Sequence, residues 1–296
     1  MPVVDVETPK GSGRLVALLG AFLPLVVGAC ASVPLEQGGS LSTYQHLAPS
    51  DGVLTKAQVS VSKDEILKAR TARIVKTTLS AATAEAGLSD AQLRLIANAI
   101  DRSLCTGLSD RFQIVPAAEP ADLTVRALIT RIIPTDEIAA AASKATSIAA
   151  SVATQVYVAP VPVPELRIPI GLGGLALEAE AVDRTGSQKA AIIWARGADS
   201  FTSKPRVSRA GDAYELASAF GDDFSRLLVI GASPFGTLPS PPSMHHVQSL
   251  LGGAPKEVAC EAFGRAPGVP GLLGSAIGLP PEWTDRGAPA DEQTTR

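Results

Sequence analysis

The side chains best suited to metal chemistry are the three histidines, His46, His245 and His246. His245 and His246 follow Met244, and neighbouring imidazoles can bind a transition metal. They lie in a stretch rich in proline and glycine, and no second cluster of ligands stands at a typical spacing from them. We therefore expect this pair to lie in a solvated loop, and the sequence predicts no metal site.

Two further patterns invite a catalytic interpretation. Residues 171–174 are rich in glycine but lack the Lys-Ser/Thr of a phosphate-binding loop, so we predict backbone freedom or a bulge at the entry to a strand. Glu178 and Glu180 share one face of a strand-like run. A catalytic pair needs environments that push two pKa values apart, so these acids predict a solvated strand face. We assign no catalytic residue and no cofactor.

The third chemical group is the thiol of Cys30, which follows an apolar run over residues 15–27. Thirteen residues of helix span about 20 Å, which is short of a bilayer core of about 30 Å. Lys10 and Arg14 give the run a positive flank. This arrangement predicts a signal peptide over residues 1–29 rather than a permanent membrane span.

The run ends in Val27, Gly28, Ala29 and Cys30, which resemble the lipobox of bacterial lipoproteins. The resemblance implies that Cys30 becomes the mature N-terminus and receives a diacylglycerol on sulfur, often with an acyl chain on nitrogen. Two or more chains anchor a protein firmly to a membrane. The resemblance also implies the outer membrane, because Ala31 stands where an aspartate would favour retention in the inner membrane. The alternative is a plain secretory signal followed by a chance cysteine.

The remaining cysteines, Cys105 and Cys260, form an even pair if Cys30 is acylated. Exported compartments are oxidising, so a disulfide between them is one interpretation. Two separate buried thiols are the other, because sequence spacing does not report proximity.

The composition excludes some classes of protein. The chain has 296 residues, of which 46% are hydrophobic and 4% aromatic, and its formal net charge is −3. The apolar fraction is too high for a wholly disordered chain. The near-neutral charge argues against a nucleic-acid partner, since phosphate binding requires concentrated positive charge.

The elements that position these groups are strands and two amphipathic helices. A capping box at Ser89 begins a helix over about residues 90–107, and an apolar stripe after Gly211 predicts another. Alternating residues predict strands over 121–133, 174–183 and 188–198, the last two joined by a turn at 184–187. Residues 68–79 and 111–115 also fit strands. The fold class is therefore α+β, with a mainly antiparallel sheet packed by two helices.

Two segments lie outside this pattern. Residues 136–157 are rich in alanine and predict an inserted helix, with a partner-docking helix or a flexible loop as alternatives. Residues 231–296 are rich in proline and glycine and predict a mostly irregular tail. The expected organisation is thus a tether or leading loop over 30–52, an α+β domain over 53–230, and the tail.

After the lipobox, short motifs follow one another over about residues 41–230: those at 41–44 and 47–49, the strand at 121–125, and the glycine-led strand at 173–180 with its turn at 183–186. Their order resembles that of the DUF3313 family of bacterial lipoproteins, a domain of unknown function. The resemblance implies an α+β domain in the cell envelope and supplies no reaction. We therefore expect a periplasm-facing protein, lipid-anchored in the outer membrane, that binds an envelope protein or takes part in assembly. A carrier of small molecules or lipids, or an enzyme with a dispersed site, are the alternatives.

Overall fold

A single mixed sheet organises the computed structural model, which describes residues 33–157, 167–236 and 243–289. Its strand order is β1-β2-β8-β7-β6-β3-β5, and β4 pairs with β6 beside this path. The pairs β1/β2, β2/β8, β8/β7 and β7/β6 are antiparallel, whereas β3 and β4 pair in parallel fashion with β6, and β3 with β5. The strands are β1 (Ala48–Pro49), β2 (Thr55–Val61), β3 (Thr71–Ile74), β4 (Thr78–Leu79), β5 (Gln113–Ile114), β6 (Leu123–Ile133), β7 (Gly174–Val182) and β8 (Gln188–Gly197).

The helices complete an α+β fold, which confirms the predicted class. They are α1 (Lys63–Lys68), α2 (Ala81–Ala84), α3 (Asp90–Leu108), α4 (Glu137–Tyr157), α5 (Gly211–Ile230), α6 (Met244–Leu250) and α7 (Gly268–Ala276). Short 3-10 helices span Val258–Phe263 and Pro281–Trp283. No helix among the described residues is long and apolar enough to cross a membrane.

The main core lies between the sheet and the paired helices α3 and α5. Trp194 of β8 meets Phe220 of α5 edge to face, with ring centroids 5.6 Å apart, and Phe224 stacks on Phe220. Helix α3 begins as its sequence predicts, because Ser89 and Gln92 form the reciprocal capping box. The two helices approach closely where Gly107 faces Ser225, since a Cβ on Gly107 would lie 2.6 Å from that side chain.

The alanine-rich segment forms α4, as the helix interpretation expects. Asp136 precedes the helix, and its Oδ1 accepts hydrogen bonds from the backbone N–H groups of Ile138 and Ala139. A carboxylate at this position satisfies free donors at the helix N-terminus. Ala140 and Ser143 are buried and Ile138 is exposed, so the first turns of α4 pack on the domain by one side.

Both terminal segments pack on the α+β domain. The segment expected to be a tether or leading loop has no helix or strand over 33–47 and then contains β1, and its Val33 and Leu41 are buried. The tail expected to be mostly irregular contains α6, α7 and both 3-10 helices within residues 243–289. Cys260 and Phe263 from this C-terminal segment join the main core, and Phe263 O accepts a hydrogen bond from Asn98 of α3. Its glycines permit close packing, which composition alone does not reveal.

The predicted strand over residues 68–79 is interrupted. Helix α1 extends to Lys68, and residues 75–77 between β3 and β4 belong to neither strand. The buried carboxylate of Asp101 on α3 binds this connection, because its Oδ1 accepts hydrogen bonds from both N–H and Oγ1 of Thr77. A long-range polar contact thus ends β3, where the β-branched residues alone predict continuation.

Candidate functional site

The sheet face opposite the helices is covered rather than solvated. Glu178 and Glu180 of β7 are 0% exposed, which shows that the predicted solvated face was wrong. The pattern of alternation is right, since both acids point away from the helices. What covers them is the chain over residues 33–44, which we call the N-terminal strap.

The strap binds Glu178 through three donors. The N–H of Gly38 donates to Oε2 at 2.8 Å, the N–H of Ser40 to Oε1 at 2.6 Å, and the hydroxyl of Tyr44 to Oε2 at 2.8 Å. Burying a carboxylate is costly unless hydrogen bonds replace water, and the strap supplies these bonds. Burial and the bond to Glu178 raise the pKa of Tyr44, so its hydroxyl remains a neutral donor.

Glu180 is bound from both the strap and the sheet. The N–H of Ser42 donates to Oε2 at 2.8 Å, Arg126 Nε donates to Oε1 at 2.6 Å, and Gln188 Nε2 donates to Oε2 at 2.6 Å. Arg126 also forms an ion pair with this carboxylate. Each of the four carboxylate oxygens of Glu178 and Glu180 therefore accepts at least one hydrogen bond, and the bonds from the strap attach it to the sheet.

Apolar side chains pack the rest of the strap against the sheet. Val33 packs against Ala176 and Ala195, and Leu41 packs against Ala191 and Ile193. The small residues of β7 and β8 leave room for the strap to lie close to the sheet. Gly38 is required by this closeness, because a Cβ there would lie 2.5 Å from Leu128 Cδ2 and 2.8 Å from Thr130 Cγ2.

The glycine-rich entry to β7 has a structural role that fits the prediction of backbone freedom. Gly171 has a φ of +66°, which favours glycine. The N–H of Gly173 donates a 2.7 Å hydrogen bond to Oδ2 of Asp212, the second residue of α5. Asp212 also forms a buried ion pair with Arg167. The donor that a phosphate would need is thus occupied by a carboxylate of the chain.

The structure brings Cys105 and Cys260 together. They are joined in a disulfide with 5.7 Å between their Cα atoms, across a separation of 155 residues. The bond ties the 3-10 helix Val258–Phe263 to α3. Cys30 and the other lipobox residues Val27, Gly28 and Ala29 lie outside the described residues.

A cavity of about 250 Å³ lies between α3, α5 and the C-terminal segment. Ala99, Leu250, Cys260 and Leu272 contribute to its apolar part, and Arg102, Asp222 and His246 to its polar part. The predicted solvated loop at His245 and His246 is instead the start of α6, where His246 Nε2 lies 3.9 Å from Asp222 Oδ1. Among the described residues, no three His, Cys, Asp or Glu side chains form a group that could hold a metal.

A buried ionic cluster adjoins this cavity. Arg102 Nη2 donates to Asp285 Oδ2 at 2.5 Å, and the hydroxyl of Tyr214 donates to the same oxygen at 2.6 Å. Burial, followed by the nearby charge of Asp285, raises the pKa of Tyr214. The cluster joins α3, α5 and the C-terminal segment. The sequence does not predict it, because Arg102, Tyr214 and Asp285 lie far apart in the chain.

The fold and these contacts define an α+β domain with one helix-covered sheet face and one strap-covered face. The chain matches the model of DUF3313, a protein family of unknown function, over residues 36–224. The chain therefore belongs to the DUF3313 family. The match includes most of the strap and both buried glutamates, whereas the C-terminal segment lies beyond it.

Two solved structures are distantly similar to the chain. A PelC dodecamer from Paraburkholderia phytofirmans is 9% identical, with a TM-score of 0.32, and the match covers 60% of this chain and 99% of that one. A point variant of the same PelC dodecamer is 11% identical, with a TM-score of 0.31, covering 60% of this chain and 98% of that one. No curated protein sequence matches the chain significantly.

Proposed function

We propose that the protein is a lipid-anchored component of the cell envelope that faces the periplasm from the outer membrane. It acts there by binding or assembly rather than by catalysis. One observation supports this most directly: Val33, only three residues after Cys30, is already buried against the sheet. Three extended residues span at most about 11 Å, so an acyl anchor on Cys30 would hold the domain against the membrane.

The disulfide supports export. Disulfides form and persist in oxidising compartments and are rare in the cytosol of most organisms. Cys105 and Cys260 are both buried and joined, so the thiol at Cys30 is the cysteine left for acylation.

Labelling with palmitate tests the anchor. We expect the wild-type chain to incorporate palmitate and to fractionate with the outer membrane on a density gradient, and the Cys30→Ala variant to do neither. The Cys105→Ala/Cys260→Ala double variant is the matched control, because it removes the two disulfide-bonded cysteines and keeps the lipobox. Absence of label from the wild type, or label that persists in Cys30→Ala, contradicts the anchor.

The binding role needs a separate experiment. Crosslinking in intact cells, followed by purification of the tagged wild type, should recover the same envelope protein in repeated preparations. The Cys30→Ala variant should lose that partner, because its domain no longer sits at the membrane surface. Recovery of no envelope partner counts against binding or assembly.

A carrier role is the second candidate, and the cavity between α3, α5 and the C-terminal segment favours it. Its volume of about 250 Å³ is close to the lower limit of small-molecule sites. A carrier should bind a fluorescent apolar dye saturably and release it when a lipid extract is added. Failure to bind the dye contradicts this role and leaves the anchor proposal unaffected.

A further inference from the structure

Helix α7 has an unusual distribution of side chains. Its large apolar residues Val269 and Leu273, together with Ile277 just beyond it, are 54%, 62% and 60% exposed. They follow at intervals of four residues and therefore form one stripe along the helix. Its buried positions are Gly268, Gly271, Gly274 and Ser275. A helix on a water-exposed surface buries its large apolar residues, so α7 has the opposite arrangement.

The chain around α7 carries no charge to offset this exposure. No Asp, Glu, Lys or Arg occurs between Arg265 and Glu282. A contiguous apolar surface on a folded protein marks a contact with another protein or with a membrane. Because these 16 residues carry no charge, α7 itself would bury no charged side chain in a contact with lipid.

The contacts of the domain place this stripe at the end where the strap begins. Val33 lies at Gly174, the first residue of β7. The neighbouring Gly173 is bound to Asp212 at the start of α5. Just before α5, the N–H of Val207 donates a 2.9 Å hydrogen bond to Gly278 O, immediately after the stripe.

Other exposed apolar side chains lie at the same end. Ile170 precedes the glycine-rich entry to β7, and Phe201 follows the end of β8. The two loops are joined, since the N–H of Arg167 donates to Ser200 O at 3.0 Å. We call Ile170, Phe201, Val269, Leu273 and Ile277 together the apolar end surface.

We propose that the apolar end surface rests on the lipid bilayer, with α7 lying in the interfacial layer. This inference rests on the proposed anchor at Cys30. Val33 begins the described chain at this end of the domain, and three residues keep Cys30 within about 11 Å of it. An acylated Cys30 therefore brings this end, and not the opposite one, to the membrane. Apolar residues on one side of a short helix are suited to the boundary between headgroups and acyl chains.

Tryptophan quenching tests which end of the domain meets lipid. The full-length lipoprotein is reconstituted into phosphatidylethanolamine/phosphatidylglycerol vesicles with brominated acyl chains, which quench nearby indoles. The background variant Trp283→Phe removes the exposed indole, and the buried Trp194 stays constant in all samples. The probe variant is Leu273→Trp, and the matched control is Val258→Trp, an exposed valine of the same C-terminal segment.

Val258 suits the control because it lies at the opposite end of the sheet from Gly174. Its 3-10 helix contacts β5, which pairs with β3 beside the Leu123 end of β6. That end of β6 pairs with β7 at Val182, the last residue of β7. Leu273 is more than half exposed and does not line the cavity, so the substitution should fold. Circular dichroism melts of both variants verify this.

The expected result is a loss of fluorescence about twofold larger for Leu273→Trp than for Val258→Trp, since bromine quenches at short range within the layer that an interfacial helix enters. Equal quenching of the two probes, in protein that floats with the vesicles, overturns the inference and leaves the anchor intact. Protein that does not float with the vesicles overturns both proposals. A third outcome combines equal quenching with concentration-dependent dimers that the Leu273→Ser/Ile277→Ser variant no longer forms. It would show that the surface binds a second copy of the chain, and it would overturn the lipid contact.

Discussion

The backbone N–H of Gly38 donates a 2.8 Å hydrogen bond to Oε2 of Glu178, which lies 140 residues further along the chain. This contact closes the N-terminal strap over the face of the sheet opposite α3 and α5. The other two donors to Glu178 also belong to the strap. The strap and the buried glutamate therefore depend on each other, since removing the strap would leave a carboxylate on an apolar sheet face.

The first prediction concerns this mutual dependence. Glu178→Gln places an amide NH₂ against N–H or O–H donors, so at least one buried donor loses its acceptor. We expect a loss of unfolding free energy of about 1–3 kcal/mol by urea denaturation. The matched control is Glu36→Gln, because Glu36 pairs with the exposed Arg131 and the substitution should change the unfolding free energy much less. Equal losses in the two variants would contradict the role of the strap.

The strap also shows what the sequence could and could not predict. Alternation along β7 correctly predicts that Glu178 and Glu180 share a face away from the core. Alternation does not say what covers that face, because the covering segment is more than 130 residues away in sequence. Helix α3 was predicted accurately because its signals, Ser89 and Gln92, are local.

The prediction of an irregular C-terminal segment was wrong for the same physical reason, since its contacts are distant in sequence. Its proline and glycine content indicates weak local propensity for regular structure. Its order comes instead from distant partners, namely Cys105 through the disulfide and Arg102 through Asp285. Composition reports the local propensity for regular structure but contains no information about these distant contacts.

The second prediction concerns the disulfide. A bond across 155 residues should stabilise the fold by about 5 kcal/mol in the chain-entropy model. We expect a reductant to lower the melting temperature of the wild type and to leave that of Cys105→Ala/Cys260→Ala unchanged. Labelling of both residues by a thiol reagent in the unreduced, unfolded protein would contradict the bond.

The third prediction concerns the buried pair of Arg102 and Asp285. Asp285→Ala leaves the Arg102 guanidinium buried without its carboxylate, and Tyr214 loses its acceptor. We expect a loss of about 3–5 kcal/mol in unfolding free energy and faster proteolysis within residues 243–289. The matched control is Glu261→Ala, which breaks the exposed pair with Arg265 and should lower the unfolding free energy much less than Asp285→Ala does. A similar small loss in both variants would mean that Asp285 does not hold the segment.

The fourth prediction concerns pH and Asp101, the aspartate that binds the connection between β3 and β4. Burial raises the pKa of Asp101 to about 7, against the lowering effects of the bonds from Thr77 and the charge of Lys76. The folded state therefore retains a proton that the unfolded state releases near its usual pKa of 3.8. The contribution of Asp101 to the unfolding free energy is therefore fully present below pH 4 and is lost as the pH rises towards 7. The loss is on the order of a few kcal/mol.

The Asp101→Asn variant should remove this part of the pH dependence. An asparagine Oδ1 can still accept both hydrogen bonds from Thr77, and the side chain stays neutral at every pH. In urea denaturation at pH 5 and pH 8, the wild type should lose more unfolding free energy between the two values than Asp101→Asn does. The Asp90→Asn variant, at the exposed start of the same helix, serves as the control and should keep the wild-type difference. Equal pH dependence in the wild type and Asp101→Asn would show that Asp101 is already ionised in the folded protein at pH 5.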